Sequence, residues 1–247
     1  EVTAIARSVA DLDHSYLAVQ GPPGTGKTYV GSHVIARLVA ERGYRVGVVA
    51  QSHATVEHML DQVIAAGVLA ARVGKAPKHP GAEHSFTVLP KNGVPAFAAE
   101  NAAHGFVVGG TAWDFSHEGR IPRGSLDLLV IDEAGQFSLA STIAVSLAST
   151  RLLLLGDPQQ LPQVSQGTHP EPVDTSALGW VIDGAEVVPA EFGYFLARTR
   201  RMHPAVAGPV SRLSYEGRLA AHPSTALRTL AGDRKSTRLN SSHTDIS

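Results

Sequence analysis

The chain has 247 residues, of which 43% are hydrophobic and 17% charged, with no cysteine and a formal net charge of −1. This composition is typical of a globular protein, and it excludes disulfides and thiolate metal sites. No apolar run reaches the roughly 18 residues of a membrane helix, so we expect no membrane association and a cytoplasmic location. The near-neutral charge predicts no global attraction to nucleic acid but permits a local binding groove.

The first predicted strand, residues 17–19, leads through a glycine-rich turn into a helix that Gly43 is placed to end. The turn matches the phosphate-binding pattern G-x-x-x-x-G-K-[ST], with the residues Gly21, Pro22, Pro23, Gly24, Thr25, Gly26, Lys27 and Thr28. In such a loop backbone N–H groups point at phosphate oxygens, the lysine neutralises charge and the threonine hydroxyl binds Mg²⁺. A chance match is the alternative, which the flanking strand and helix disfavour.

A second predicted strand, residues 46–50, precedes a helix whose apolar face ends near Gly67. Ser52, His53 and Thr55 therefore lie at a helix N-terminus, where side chains and backbone can contact phosphate. Capping of the helix by Ser52 is the alternative interpretation. Residues 74–105 contain four prolines and predict a surface insertion of loops and one short helix.

A third strand, residues 106–108, is followed by "GGTAWDF", which again places a threonine, Thr111, after glycine at a strand end. Ser52 and Thr111 could hold successive phosphates of one strand at a shared sheet edge. We interpret Trp113 and Phe115 as core or hinge residues rather than as platforms on which bases stack.

The strand at 128–131 ends in an acidic pair that completes the expected nucleotide site. It is a continuous apolar run, as in a parallel strand covered on both faces, and Asp132 and Glu133 follow it. Asp132 is the expected Mg²⁺ partner, and Glu133 the base that positions the attacking water. A solvated acidic pair is the alternative, disfavoured once a phosphate loop is present.

A further strand, residues 152–155, runs into the polar turn "GDPQQLPQV". The alternation of strands with helices or loops predicts an α/β fold built on a parallel sheet. Because ligands of such sheets bind beyond the carboxyl ends of the strands, we expect the function to reside in these turns.

The two ends of the chain suggest an internal fragment. The chain does not begin with Met, and residues 233–247 resemble the translation of a sequencing-library adapter. A disordered polar tail is the alternative for these residues. We exclude them from the fold.

Six segments, in order, resemble the motifs of superfamily-1B helicases of the Upf-like group: "GPPGTGKT", "VVAQSHATVEHML", "VVGGTAWDF", "LLVIDEAGQ", "LLLLGDPQQLP" and "RTRRMHPAV". The similarity spans residues 16–219 and is greatest to bacterial proteins in which the helicase follows a RecB-like nuclease domain. It implies a RecA-like P-loop NTPase domain at 1–165, a linker at 166–189, and the beginning of a truncated second RecA-like domain at 190–232.

The resemblance also implies roles for individual residues, with ATP and Mg²⁺ as cofactors. Gln160 corresponds to the glutamine that senses the γ-phosphate, and Arg201 to an arginine that reaches the phosphates from the second domain. Ser52, His53 and Thr111 match positions at the nucleic-acid strand. The chain departs from the family at His53 (usually Asn), at Glu57 (usually Asp) and at 199–200, where Thr-Arg replaces Gln-Tyr. His203 shares the motif of Arg201, with a packing role as the alternative.

These features predict an ATP-dependent helicase or translocase that acts on single-stranded nucleic acid, DNA more than RNA. The predicted polarity is 5′ to 3′. The chain itself is expected to bind ATP·Mg²⁺ weakly and not to unwind, because most of the second lobe and the upstream adenine-selecting motif are missing. One alternative is a P-loop module that uses ATP as a conformational switch. Another is a motor that serves a nuclease domain in the same parent chain.

Overall fold

The computed structural model describes residues 1–79, 81–161, 167 and 169–228. The adapter-like tail at 233–247 lies outside the described residues. So do residues 162–166 and 168, around the predicted end of the first domain, and the last four residues of the predicted second domain.

The main sheet contains eight strands: β1 (Tyr16–Gln20), β2 (Arg45–Val49), β3 (Val73–Lys75), β4 (Thr87–Val88), β5 (Phe106–Gly110), β6 (Leu128–Ile131), β7 (Leu152–Gly156) and β8 (Gly193–Phe195). The helices are α1 (Val2–Asp11), α2 (Lys27–Arg42), α3 (His53–Ala65), α4 (Val94–Asn101), α5 (Ala112–Phe115), α6 (Leu139–Ser146), α7 (Ala177–Ile182) and α8 (Pro204–Ser214). Two short 3₁₀ helices span Ala70–Arg72 and Pro223–Leu227.

All eight strands are parallel, in the order β4-β3-β5-β2-β6-β7-β1-β8. The predicted α/β fold with a parallel sheet is confirmed, and each of the five predicted strands is present. Strand β1, which leads into the phosphate loop, lies beside β7, and β7 separates β1 from β6. The turns that follow these three strands therefore meet at one half of the carboxyl edge, while those after β2 and β5 share the other half.

Two apolar layers cover the sheet because its strands are apolar on both faces. Within β6, Val130 packs into the layer that contains Ile5, Val34 and Met59, while its neighbours Leu129 and Ile131 pack into the opposite layer. Alternate residues of a strand point to opposite faces, so a continuous apolar run fits this position. Among the described residues, no helix is long and apolar enough to cross a membrane.

The segment 74–105 differs in part from the predicted surface insertion. It contains one short helix, α4, as expected, but it also completes β3 and contributes β4. The β3 residue Lys75 is fully buried and pairs with β5 in the sheet. Sequence patterning missed this strand because "VGK" is too short for alternation to be recognised and ends in a charge.

Residues after 190, predicted to start a second domain, contact the first sheet in this structure. Strand β8 pairs with β1, and a two-stranded sheet joins β9 (Arg198–Thr199) to β10 (Ala220–Ala221). Tyr215 and Leu219 bury their side chains in a small separate cluster, while Leu213 remains 78% exposed. The domain boundary itself stays a prediction, but the first strand beyond it belongs to the main sheet.

Candidate nucleotide site and the neighbouring sheet edge

The phosphate loop connects β1 to α2 through two glycines with left-handed backbone. Gly24 has φ of 78° and Gly26 has φ of 88°, in the region that side chains disfavour. A Cβ at Gly24 would also lie 2.2 Å from the Cβ of Arg201. Glycine is therefore required at position 24 both by the backbone conformation and by the close approach of the arginine segment.

Lys27 begins α2 and carries a largely buried ammonium group. Its Nζ donates to the carbonyl of Gly21 at 2.5 Å. Burial lowers the pKa of Lys27, and the nearby carboxylates of Asp157, Asp132 and Glu133 partly oppose that shift, while Arg201 adds to it. A desolvated cation of this kind gains most from a bound anion.

Asp132 and Glu133 follow β6 and differ in their surroundings. Asp132 is 5% exposed, and this burial raises its pKa from 3.8 to about 6, although a hydrogen bond from the Glu133 N–H at 3.0 Å lowers it. Glu133 has a left-handed backbone with φ of 58°, which is uncommon for a residue with a side chain. Its Oε2 accepts a long hydrogen bond, 3.5 Å, from the Thr55 hydroxyl of α3.

The turn after β7 contributes Gln160 and also Asp157, which is not among the site residues predicted from the sequence. Asp157 is 3% exposed, and its Oδ2 accepts from the Tyr215 hydroxyl at 2.7 Å and from Gln160 Nε2 at 3.3 Å. Burial, followed by the contact with Asp157, raises the pKa of Tyr215. The signal for Asp157 was available, since it follows a buried strand directly, as Asp132 does.

Gly135 lets the turns after β6 and β7 approach each other. A Cβ on this residue would lie 2.3 Å from the backbone carbonyl oxygen of Asp157. The backbone fixes the position of a Cβ, and the oxygen that it would meet belongs to the main chain. No side-chain rotation can therefore relieve this contact. The "DEAG" sequence therefore needs its glycine for close packing, which holds Asp157 beside the acidic pair.

The segment around Arg201 packs directly against the phosphate loop. The Thr199 hydroxyl donates to the carbonyl of Pro23 at 2.9 Å, and the Arg200 N–H donates to the carbonyl of Gly24 at 2.8 Å. Thr199 is fully buried, so the threonine that replaces the usual glutamine has a structural role here. His203 caps α8 by accepting the Ala205 N–H at 3.1 Å.

The phosphate loop, the turns after β6 and β7 and the segment around Arg201 together line one cavity of about 240 Å³. Its wall includes Gly24, Lys27, Glu133, Asp157, Gln160 and Arg201. Two cations and two carboxylates thus share a space with the amide of Gln160. Pro23 also lines it, whereas Asp132 is buried and not part of the wall, and Thr28, the second residue of α2, is partly exposed.

The residues present fit ATP·Mg²⁺. The left-handed glycines allow backbone N–H groups to approach phosphate, the buried Lys27 ammonium needs an anion, and Asp132 and Thr28 offer the oxygen ligands that Mg²⁺ prefers. The other phosphate-loop residues Gly21, Pro22, Thr25 and Gly26 belong to the loop between β1 and α2. Thr25 and Gly26 border a second cavity with Tyr29 and Arg200.

At the other half of the sheet edge, Ser52 and His53 form the start of α3. The Ser52 Oγ accepts the Thr55 N–H at 3.0 Å and lies 2.9 Å from the Thr55 hydroxyl, so the alternative interpretation of Ser52 as a helix cap describes its geometry. The buried Lys75 Nζ contacts His53 Nδ1 at 2.8 Å and Glu57 Oε1 at 2.9 Å.

This lysine determines how His53 can act. An ammonium group has only donors, so Nδ1 of His53 accepts and the ring proton resides on Nε2. Burial, followed by the charge of Lys75, lowers the pKa of His53. His53 is therefore a neutral N–H donor rather than a cation at neutral pH. His53 and Glu57, which replace the usual Asn and Asp, form a polar pair around this lysine.

Thr111 caps α5, the short helix after β5. Its N–H and its hydroxyl both donate to Asp114 Oδ2, at 2.8 and 2.9 Å, and Arg120 donates to Oδ1 of the same carboxylate. These bonds lower the pKa of Asp114 against the opposing effect of burial. Both donors of Thr111 are thus already used within the protein, which the sequence pattern did not indicate.

The two aromatic residues of α5 have different environments. Phe115 is 2% exposed and belongs to the core, as predicted. Trp113 is 81% exposed, so of its two predicted roles, core or hinge, the core role is wrong. Residues two apart on a helix point about 200° apart, and only one of the pair can face the sheet.

The structure thus places the predicted site residues in two groups. Lys27, Glu133, Gln160 and Arg201 surround one cavity, whereas Ser52, His53 and Thr111 lie along the ends of the neighbouring strands β2 and β5. The profile of the AAA domain family matches residues 3–177. The chain belongs to the AAA domain family.

Known relatives of this AAA domain include much longer proteins. It is 28% identical over 156 residues to the DNA replication ATP-dependent helicase/nuclease JHS1 of Arabidopsis thaliana, covering 62% of this chain and 12% of that protein. It is 26% identical over 156 residues to the DNA replication ATP-dependent helicase/nuclease DNA2 of Homo sapiens, covering 61% of this chain and 14% of that protein. The chain therefore spans a small part of each relative's length.

Among solved structures, the arterivirus nonstructural protein 10 (helicase) in complex with DNA has a TM-score of 0.53 and 17% identity, covering 89% of this chain and 43% of that one. At this identity the likeness shows the fold alone. The named relatives confirm the resemblance to helicases that the motifs indicated, and the solved structure agrees with it in fold.

Proposed function

We propose that this AAA domain is the nucleotide-hydrolysing part of an ATP-dependent helicase or translocase acting on single-stranded nucleic acid. The observation that carries the proposal is the shared cavity, in which a desolvated lysine, a carboxylate, a glutamine and an arginine converge from four separate segments. A module that only binds nucleotide needs the phosphate loop, whereas hydrolysis also needs a proton acceptor and groups that stabilise developing charge.

Four residues of the cavity wall have roles in this proposal. Lys27 and Arg201 stabilise negative charge on the phosphates, and Glu133 accepts a proton from the attacking water. Gln160 orients that water or senses the γ-phosphate. Asp132 and Thr28 would hold Mg²⁺. ATP·Mg²⁺, when bound, supplies the phosphoryl group and the metal charge. Burial raises the pKa of Asp132, and a bound Mg²⁺ would favour its charged form.

The finer parts of the proposal are supported by the names of relatives. JHS1 and DNA2 are named DNA replication helicase/nucleases, which favours DNA over RNA and a nuclease domain in the same parent chain. The 5′ to 3′ polarity, the lack of unwinding by this chain alone and the cytoplasmic location stay predictions.

The test compares ATP hydrolysis by the full chain, with and without oligo(dT), with that of the Glu133→Gln variant. Gln keeps the size of the side chain but removes its negative charge and its basicity. We expect hydrolysis to fall by about 10²- to 10⁴-fold, with binding of a fluorescent ATP analogue retained. A Glu118→Gln variant, on an exposed loop, serves as the matched control.

Two results would count against the proposal. Equal hydrolysis by wild type and Glu133→Gln would remove the proposed base. Nucleotide binding with no oligo(dT) stimulation of hydrolysis would favour the conformational-switch alternative over a motor.

A further inference from the structure

Trp113 lies in α5, the helix after β5, and exposes its indole to solvent. It is 81% exposed, compared with 56% for Trp180, the other tryptophan of the chain. Tryptophan is highly buried on average in folded proteins, so an indole almost fully in water calls for an explanation. Helix α5 is anchored by the buried Phe115 and by the bonds between Thr111 and Asp114, so Trp113 is held outward on a fixed support.

The position of Trp113 connects it to the predicted strand-binding residues. Its helix follows β5, whose last residue, Gly110, is in register with Val49, the last residue of β2. The turn that carries Ser52 and His53 follows β2, so both turns emerge side by side. The exposed Lys78 follows β3, whose last residue, Lys75, is in register with Gly109 of β5, so Lys78 emerges at the same edge of the sheet.

The side chains at this edge include an aromatic ring, which a surface that binds only phosphate does not need. Thr111 donates both of its protons to Asp114, and Ser52 caps α3. The groups at this edge that remain available to a ligand are then the indole of Trp113, the Nε2–H of His53 and the cation of Lys78. An aromatic face beside one N–H donor and one cation matches a nucleotide unit, with a base to stack and a phosphate to pair.

We propose that Trp113 stacks on a base of the single strand, with His53 and Lys78 at the adjoining phosphate. The inference rests on the proposed function, because that function supplies the single strand. It differs from the motif-based expectation, in which Ser52 and Thr111 hold successive phosphates of the strand. Stacking tolerates any base, since every base has a π-face, and so suits a protein that moves along a strand.

Tryptophan fluorescence gives a direct test. The Trp180→Phe chain keeps Trp113 as its sole tryptophan, and oligo(dT) should quench its emission with saturation. An oligonucleotide of abasic deoxyribose units with the same phosphates should bind with little quenching. In anisotropy titrations with labelled oligo(dT), Trp113→Leu should weaken binding by about 5- to 150-fold, Trp113→Phe should weaken it less, and the matched Trp180→Leu control should leave it unchanged.

The outcomes separate this inference from the proposed function. If oligo(dT) binds without quenching Trp113, and Trp113→Leu binds as tightly as wild type, stacking is wrong and the proposed function stands. If the anisotropy titration detects no binding by the wild-type chain, both are overturned. If Trp113 emission instead changes on dilution of the protein alone, the indole contacts a second copy of the chain and stacking is again wrong. Circular dichroism of each variant checks that the fold is retained.

Discussion

The two halves of the sheet edge use their polar side chains differently. After β1, β6 and β7, charged groups converge on one cavity and Lys27 is desolvated, so charge is concentrated where a ligand can enter. After β2 and β5, comparable polar residues bond to one another: Ser52 to Thr55, His53 to Lys75 and Thr111 to Asp114. Polar residues that follow strand ends thus line a cavity in one half of the edge, whereas in the other half they bond to one another.

The difference follows from the cost of burial. A desolvated charge such as the Lys27 ammonium, which bonds to the neutral Gly21 carbonyl, gains strongly from an anionic ligand, whereas a polar group already paired gains little. We therefore expect substitutions of the charged groups in the first half to affect nucleotide binding most, and those of the paired polar groups in the second half to affect the stability of the protein. Four predictions, in descending order of effect, test this contrast.

Lys27→Ala should nearly abolish nucleotide binding. Removing one partner of a buried charge pair costs about 2–5 kcal/mol, which is at least about a 30-fold loss of affinity. Titration with a fluorescent ATP analogue in the presence of Mg²⁺ measures it. The exposed Lys91→Ala variant is the control, and equal affinities for the two variants would contradict the assignment of the cavity.

Gly135→Ala should destabilise the first half by about 1–3 kcal/mol, as overpacking does. Its Cβ would lie 2.3 Å from the Asp157 carbonyl oxygen, so the turns after β6 and β7 must separate. Urea denaturation gives the free energy of unfolding. Gly81→Ala is the matched control, since a Cβ there has no atom within 4 Å. A Gly135→Ala chain as stable as that control would mean that the two turns are not in contact.

Lys75→Met should lower the free energy of unfolding by about 1–3 kcal/mol. The lysine is fully buried but its partner Glu57 is 27% exposed, so the loss is smaller than for a wholly buried ion pair. Nucleotide affinity should stay within about twofold, because Lys75 belongs to the other half of the edge. Denaturation and nucleotide titration of the same variant test both statements. A large loss of nucleotide binding would show that the halves are coupled.

The smallest effect is the pH response of His53. Its pKa lies below 6.5 because of burial and Lys75; Lys78 also lowers it, and Glu57 and Asp114 oppose the shift. The folded state thus takes up a proton less readily than the unfolded state, so the contribution to stability is complete above about pH 6.5 and is lost as the pH falls through the folded-state pKa.

An NMR titration of the His53 ring should therefore give a midpoint below 6.5, the ordinary pKa of a histidine. The His53→Gln variant, which keeps an N–H donor, should lose less stability than wild type between pH 7 and pH 5. A midpoint at or above 6.5 would contradict the tautomer inferred from the Lys75 contact.

The sequence by itself determined the parallel α/β fold and most of the nucleotide site. Apolar runs such as 128–131 and the glycine-rich turn depend on local backbone geometry and periodicity, which are visible in one dimension. The strands predicted at 17–19, 46–50, 106–108, 128–131 and 152–155 are all present, with bounds within two residues.

Only the tertiary structure decided which polar groups are free to act. The bonds of Lys75 to His53, and of Tyr215 to Asp157, join residues 22 and 58 positions apart, and no local pattern encodes such pairings. The same holds for Trp113 and Phe115, whose composition and spacing fit either a core or a surface until β5 fixes which side of α5 faces the sheet. Burial and pairing are properties of the packed chain, and they separate a residue that binds a ligand from one that stabilises the protein.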